Sequence, residues 1–176
     1  SRFSEGQAGN VTVEVDQLMV EAGAEVSVSG KRGRAGNLNV FADTILLDNA
    51  LATMGAGYSS AMEAKRLYPH KNVVCVTGDG GFVMNLGDVE TIVRMKLDLV
   101  IVVLNNSNYG MIKWKQEGMG FNNFGLDFNN PDFIQYAESF GAHGYRPESH
   151  DEFESVLDTA LNSKGVHLID LPIDYS

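Results

Sequence analysis

The stretch VTGDGGFVMN, Val76–Asn85, decides how the rest of the chain is interpreted. It begins inside an apolar run, Val73–Thr77, and ends in a polar residue that precedes a helical pattern. Between them stand Asp79 and three glycines, a combination that suits a tight turn. The same combination suits a site in which backbone N–H groups approach a phosphate while a carboxylate binds a metal ion. The sequence on either side has to distinguish these two interpretations.

Continuous apolar runs alternate with helical patterns from Asp48 onward. Val73–Thr77, in which only Thr77 is polar, and Leu99–Leu104 are continuous apolar runs, which are typical of strands covered by helices on both faces. Val166–Leu171 is predicted to be the last strand. This alternation predicts an α/β fold, in which a parallel sheet has helices on both of its faces.

Three helices are predicted between and after these strands. Asn85, with Asp88 three residues later, predicts the N-terminal cap of the first of them. Pro131–Phe140 and His150–Leu161 are predicted to be the second and the third. The apolar residues that recur at helical spacing in the first helix are Leu86, Val89, Ile92, Val93 and Leu97.

Composition and charge exclude several classes of protein. The formal net charge of -10 argues against binding to nucleic acid, which requires a basic surface. Leu99–Leu104 is the longest apolar run and is far too short to span a membrane. The polar stretch that begins at Ser1 lacks the apolar core of a signal peptide. With Cys75 as the single cysteine, no internal disulfide can form. We therefore expect a cytoplasmic protein that binds neither nucleic acid nor a membrane.

Residues 1–49 have a different pattern from the rest of the chain. AGNVTVEVDQLMVEAG begins at Ala8, and AGNLNVFADTILLDNA begins at Ala35, so the same frame recurs after 27 residues. Alternating valines predict short strands, which glycines separate as turns. The segment resembles the repeats of filamentous-haemagglutinin-like adhesins, which implies a β-solenoid-like structure. A β-rich lead-in or a disordered remnant of a fusion is the alternative. We predict a β-rich segment over 1–44 and a separate α/β domain over 45–176.

Polar residues follow two of the predicted strands. Asp79 comes directly after the first, and Asn105 and Asn106 come directly after the second. In an open parallel sheet, ligands bind beyond the carboxyl ends of the strands. If the two strands are neighbours, these side chains meet at one edge of the sheet. A carboxylate, an amide oxygen and a carbonyl are the oxygen ligands that Mg²⁺ prefers, together with water and phosphate oxygens.

The spacing of these motifs resembles a known family. Gly-Asp-Gly at 78–80 is followed by 24 residues, 81–104, and then by Asn-Asn at 105–106. The stretch GDGGFVMNLGDVETIVRMKLDLVIVVLNNSNYGMIKWKQ, Gly78–Gln116, resembles the diphosphate-binding domain of thiamine diphosphate enzymes. Upstream LLDNALATMGAGYSSAMEAK and downstream MGFNNFGLDFNNPDFIQYAESFGA extend the resemblance to about Ile45–Asp174. Together they look most like the large, catalytic subunit of acetolactate synthases.

The resemblance implies a role for individual residues. The Asp79 and Asn106 side chains and the backbone carbonyl of Asn108 would bind Mg²⁺. The Met54 side chain would support the bent cofactor and the Ala52 carbonyl would accept from its 4′-amino group, so that these two residues serve catalysis. Backbone N–H groups of Gly80, Gly81, Tyr109 and Gly110 would contact the diphosphate. The full set of cofactor-binding residues that the resemblance implies is Ala52, Met54, Gly78, Asp79, Gly80, Gly81, Asn106, Asn108, Tyr109, Gly110 and Met111.

The resemblance also implies a reaction and a partner. The cofactors would be thiamine diphosphate and Mg²⁺, and the reaction would be decarboxylation of pyruvate and condensation with a 2-keto acid, as in branched-chain amino acid biosynthesis. In this family a glutamate on a separate pyrimidine-binding domain activates the cofactor. Glu63, Glu90, Glu117 and Glu138 do not match its motif. We therefore expect a homo-oligomer, or a pyrimidine-binding domain from another chain. The alternatives are a non-catalytic cofactor-binding fragment of a gene fusion, or a piece of a surface adhesin with a passenger α/β domain.

Overall fold

A parallel sheet runs through the part of the chain that the structure describes. The computed structural model describes residues 11–20, 38–47 and 53–173. Six strands lie in these ranges: β1 Val11–Val20, β2 Leu38–Leu47, β3 Val73–Gly78, β4 Leu99–Asn105, β5 His143–Tyr145 and β6 Val166–Pro172. Their order across the sheet is β2-β1-β3-β4-β6-β5, and every neighbouring pair is parallel.

The helices of the described residues connect these strands. They are α1 Ala56–Leu67, α2 Asp79–Met84, α3 Asp88–Arg94, α4 Gly110–Gly118, α5 Phe133–Ser139 and α6 His150–Leu161. In this described part of the chain, no helix is both long enough and apolar enough to cross a membrane.

Two hydrophobic cores lie on opposite faces of the sheet. Alternate residues of β3 and β4, such as Cys75 and Ile101, pack with α1, α2, α3 and α5 on one face. The residues between them, such as Val76 and Val102, pack against α6 on the other face. Both faces are therefore covered, as the continuous apolar runs predicted. The predicted α/β fold with a parallel sheet and helices on both faces is confirmed.

Most predicted elements are confirmed with small shifts at their ends. β3, β4 and β6 each extend one residue beyond the predicted run, and α6 spans the predicted residues. α5 is shorter than predicted because Asp132 caps it. The Asp132 side chain accepts hydrogen bonds from the backbone N–H groups of Ile134 and Gln135, which are otherwise without partners in the first helical turn.

The prediction that Asn85 is the N-cap of a helix is wrong. The helix after β3, α2, already spans Asp79–Met84 with Asn85 as its C-cap residue, and a second helix, α3, begins at Asp88 after its N-cap residue Gly87. The Asn85 side chain instead donates to the backbone oxygen of Gly55, at 2.8 Å. The Asp88 carboxylate accepts from the Ser59 hydroxyl, also at 2.8 Å. The side chains of Asn85 and Asp88 thus join the segment between α2 and α3 to the start of α1. Local spacing in the sequence does not reveal this long-range role.

The N-terminal strands continue the same sheet. β1 pairs with β2 in a register of Val11 with Leu38, a displacement of 27 residues that equals the length of the sequence repeat. Repeated positions therefore lie side by side in adjacent strands. β1 also pairs with β3, with Gln17 beside Val73, and β2 crosses the predicted boundary between 44 and 45. The separation of the chain into 1–44 and 45–176 stays a prediction, and residues 1–10, 21–37, 48–52 and 174–176 of those two ranges lie outside the described residues.

We expect Gly144→Ala to destabilise the fold because β5 lies against the backbone of α5. A Cβ atom at Gly144 would meet the Ile134 Cα at 2.7 Å, a distance at which the helix must move. Overpacking of this kind costs about 1–3 kcal/mol of unfolding free energy. Urea unfolding checks this, with Gly118→Ala as the matched control because a Cβ there meets nothing within 4 Å. Equal midpoints for Gly144→Ala and wild type would contradict the expected clash.

Candidate functional site at the carboxyl ends of β3 and β4

The polar residues that follow β3 and β4 meet at one edge of the sheet. β3 and β4 are neighbours, and Gly78 lies beside Leu104 in their register. Asp79 therefore lies next to the turn that follows β4, and the backbone N–H of Ser107 donates to Asp79 Oδ2 at 2.7 Å. The predicted meeting of Asp79 with the Asn105–Asn106 segment is confirmed.

Asp79 is a buried carboxylate in an acidic chain. It is 2% exposed, although the formal net charge is -10. Its Oδ1 accepts from the Gly80 N–H at 2.9 Å, and its Oδ2 accepts from the Asn130 amide at 2.7 Å. Loss of hydration raises the pKa of the Asp79 carboxyl, and these hydrogen bonds act in the opposite direction. A cation at this carboxylate would offset the cost of burying its charge.

The turn after β4 has an unusual backbone conformation. Ser107 has a φ of 55°, in the left-handed region that costs a non-glycine residue about 1–2 kcal/mol. The Asn106 side-chain oxygen accepts from the Asn108 N–H at 3.1 Å. The Asn108 side chain donates to the Asp127 carboxylate, and the Asn108 carbonyl accepts from the Gly110 N–H at 2.9 Å. The Asn106 and Asn108 oxygens each retain a second lone pair with which they could bind a metal ion.

Gly80 lies in close contact with two residues of the predicted site. A Cβ atom at Gly80 would meet the Tyr109 ring at 2.7 Å and the Met54 methyl carbon at 3.3 Å. The structure thus brings together Met54 before α1, Gly80 in α2 and Tyr109 before α4. Only a residue without a side chain fits between them without displacing the Tyr109 ring.

The backbone donors of the predicted site differ in their hydrogen bonds. The Tyr109 N–H donates to the Leu126 carbonyl at 3.0 Å, and the Gly80 N–H is directed at Asp79. Gly78 is the N-cap residue of α2 and Gly81 lies in its first turn, where backbone N–H groups have no partner within the helix. That these groups contact a diphosphate stays a prediction.

The remaining predicted residues lie at the edges of this site or outside the described chain. Gly110 begins α4. Met111, the next residue, is exposed. The predicted role of Ala52 lies outside the described residues.

Sequence reasoning missed the segment 126–130, which returns to this edge of the sheet. The Phe128 N–H donates to the Ser107 carbonyl at 3.1 Å, and the Phe128 and Tyr109 rings lie 4.7 Å apart. This contact brings Asn130 to Asp79, across 51 residues of sequence. The only local signal was the Asn-Pro pair at 130–131, which indicates a turn rather than a site.

Oxygen atoms of the site suit a cation such as Mg²⁺. The side-chain oxygens of Asn108 and Asn130 are buried and accept no hydrogen bond within the described chain. Buried polar atoms are normally satisfied by a partner. Among residues 53–173, no three His, Cys, Asp or Glu side chains form a metal-binding cluster. A cation here would therefore depend on Asp79 together with amide and carbonyl oxygens, which is the ligand set of a hard ion such as Mg²⁺.

Comparison with known proteins identifies the family. The sequence matches the family "Thiamine pyrophosphate enzyme, C-terminal TPP binding domain" over residues 35–171. The chain belongs to this family. Thiamine pyrophosphate is thiamine diphosphate, so the resemblance stated from the two motifs is confirmed. In this thiamine pyrophosphate enzyme domain, the polar edge of β3 and β4 is the candidate cofactor site.

Similar proteins include acetolactate synthases. The domain is 40% identical over 133 residues to "Acetolactate synthase" of Bacillus subtilis, a match covering 76% of this chain and 23% of that protein. It is 37% identical to "Acetolactate synthase isozyme 2 large subunit" of Escherichia coli, with 75% of this chain and 24% of that protein covered. The chain thus spans about a quarter of the length of these relatives.

A solved structure supports the fold. The thiamine diphosphate-dependent 4-hydroxybenzoylformate decarboxylase of Rhodococcus jostii RHA1 matches with a TM-score of 0.69 and 23% identity. The match covers 82% of this chain and 26% of that one. Because the two sequences are only 23% identical, this match establishes the shared α/β fold alone.

We expect Gly80→Ala to weaken binding of thiamine diphosphate. The added methyl group would displace the Tyr109 ring and contact Met54, two residues of the predicted cofactor site. A loss of at least about 1.4 kcal/mol, or tenfold in the dissociation constant, is expected. Calorimetric titration measures the change. Gly87→Ala is the control because a Cβ at Gly87 meets nothing within 4 Å. If both variants bind as wild type does, the close contact around Gly80 has no part in binding.

Proposed function

We propose that this chain is the Mg²⁺- and thiamine diphosphate-binding part of an acetolactate synthase-like enzyme. The reaction would be decarboxylation of pyruvate and condensation with a second 2-keto acid. The observation that carries the proposal is the buried Asp79 carboxylate, which accepts from the Ser107 N–H in the turn between Asn106 and Asn108, at the carboxyl ends of two neighbouring strands. The 40% identity to an acetolactate synthase supports this reaction class.

The residues of the site would divide the work of holding the cofactor. Asp79, the Asn106 side chain and the Asn108 carbonyl would bind Mg²⁺, which in turn would hold the diphosphate in a chain of net negative charge. The absence of a side chain at Gly80 allows the Tyr109 ring and the Met54 methyl group to lie directly against the start of α2. When bound, thiamine diphosphate would supply the nucleophilic chemistry on keto acids, and these residues would supply its position and its electrostatic environment.

The proposal also includes a partner domain, which would dock near α4. Within the described part of the chain, α4 buries none of its residues. Trp114 is 67% exposed, and Phe124 in the loop after α4 is 86% exposed. A concentration of exposed large apolar side chains in one segment of the chain is a feature of interaction surfaces. They support docking of a pyrimidine-binding domain from another chain, with a homo-oligomer as the assembly.

A second candidate is a cofactor-binding domain that has no activity by itself. The observation that favours it is the family match, which is to a cofactor-binding domain of thiamine pyrophosphate enzymes. In that case thiamine diphosphate binds as proposed but pyruvate is not turned over. The two candidates therefore differ in activity and agree in binding.

We expect thiamine diphosphate to bind only in the presence of Mg²⁺ or a similar divalent ion. Asp79→Asn should remove this binding, because the substitution keeps the shape of the side chain but removes the charge that attracts the cation. Calorimetry with and without EDTA measures the dependence, and thermal melting confirms that the variant is folded. Asp151→Asn is a charge-matched control, because the Asp151 side chain is fully exposed in the first turn of α6. Equal affinity with and without EDTA would overturn the metal assignment.

We expect the chain alone to form little or no acetolactate from pyruvate. A positioned acid–base group typically contributes about 10²- to 10⁴-fold in rate, and in this proposal the activating carboxylate belongs to another domain. The measurement is acetolactate formation by the chain alone and after addition of a pyrimidine-binding domain. Activation by the added domain supports the enzyme, and binding without activation supports the second candidate. Rapid turnover by the isolated monomer would contradict the need for a partner.

A further inference from the structure

The Asn130 amide joins the ends of two strands. Its Nδ2 donates to Asp79 Oδ2 at 2.7 Å and to Asn105 Oδ1 at 2.9 Å. Asp79 follows β3 directly and Asn105 is the last residue of β4. One amide group therefore connects the predicted metal-binding carboxylate to the strand from which the Asn106–Asn108 turn departs.

Its surroundings determine how this amide is oriented. Asn105 Nδ2 donates to Asp170 Oδ1 at 2.8 Å. An ionised carboxylate only accepts hydrogen bonds, so the Asn105 oxygen must face Asn130. Asp79 also presents only acceptors. Asn130 is thus placed between two acceptors, and its NH₂ group, which has two hydrogens, is the end that must lie between them.

The Asn105 side chain is held in turn by an ion pair between a buried carboxylate, Asp170, and a partly exposed guanidinium, Arg146. Asp170 in β6 is 0% exposed. Its Oδ2 accepts from Arg146 Nε at 2.8 Å and from Arg146 Nη2 at 2.7 Å. A two-point contact between a guanidinium and a carboxylate has a defined geometry. The orientation of Asn105 is therefore set by the sheet itself, and Asn130 transmits it to Asp79.

The Asp79 oxygen that accepts from Asn130 also holds the strained turn at Ser107. Asp79 Oδ2 accepts from the Ser107 N–H as well as from Asn130. Ser107 has a φ of 55°, which persists only when its surroundings hold it. If Asp79 Oδ2 is displaced, the hydrogen bond that supports this conformation is lost. The oxygens of Asn106 and Asn108, on either side of Ser107, would then change direction.

We propose that Asn130 is a positioning residue of the diphosphate–metal site. It holds the Asp79 carboxylate and the end of β4 in one arrangement, so that the oxygens on both are directed at one cation before that cation binds. Asn130 acts through Asp79 and the 105–108 turn. This inference rests on the proposed function for its ligand, Mg²⁺ with thiamine diphosphate, and on the described contacts for its geometry.

The first experiment measures binding by the full chain. Asn130→Ala removes the donor, and Asn130→Leu removes it while keeping nearly the same volume. Both should weaken binding of Mg²⁺–thiamine diphosphate at least about tenfold, the value of one hydrogen bond to a charged group. Asn129→Ala is the matched control, because Asn129 is the preceding residue and is exposed. Wild-type affinity in Asn130→Leu would overturn the proposal.

The second experiment uses the chain without ligand, and so remains informative if the proposed function fails. Hydrogen exchange measured by NMR should show faster exchange of the Ser107 amide in Asn130→Ala, by about tenfold or more, with exchange in α6 unchanged. Unchanged exchange of the Ser107 amide would show that Asn130 has no positioning role. Equal acceleration of exchange in α6 would show that the substitution destabilises the whole fold, and would also overturn the positioning role. If the wild-type chain fails to bind Mg²⁺–thiamine diphosphate, the proposed function is refuted. The exchange rate of the Ser107 amide would still show whether Asn130 holds Asp79 and the 105–108 turn in place.

Discussion

A carboxylate buried at the end of a strand is the constraint on which this edge of the molecule depends. Asp79 is almost fully removed from water in a chain of net charge -10. Removing a charge from water costs several kcal/mol unless hydrogen bonds or an opposite charge offset it. The chain directs N–H donors of Gly80, Ser107 and Asn130 at this carboxylate. Its raised pKa, which burial causes, indicates that these donors offset the cost only in part.

This constraint explains features that are otherwise unrelated. The left-handed conformation of Ser107 turns its N–H toward Asp79. The contacts between 126–128 and 107–109 bring the chain back to this edge of the sheet, where Asn130 contacts Asp79. Each feature has a cost in strain or in chain entropy. In the proposed function these costs would be offset on binding, because the oxygens of the site would be oriented before the metal and the diphosphate arrive.

The fold could be predicted from the sequence to the extent that local patterns specify it. Val73–Val76 and Leu99–Leu104 are apolar throughout because both faces of their strands are buried, and this pattern can be recognised without knowing which strands are neighbours. Asn85 was misassigned because a cap and a tertiary hydrogen bond draw on the same residue types. Its side chain bonds to Gly55, 30 residues away, and α2 begins earlier, at Asp79.

The sequence by itself determined the α/β class, the two strand-ending motifs and the family to which they belong. It could do so because strand burial and the Gly-Asp-Gly and Asn-Asn motifs are local properties of the chain. Only the tertiary structure decided that β3 and β4 are neighbours, that β1 and β2 extend the same sheet, and that Asn130 contacts Asp79. Those relations join residues that are far apart in the sequence, such as Gln17 with Val73 and Asp79 with Asn130. No periodicity encodes them, because they arise from the order of strands in the sheet and the return path of a loop.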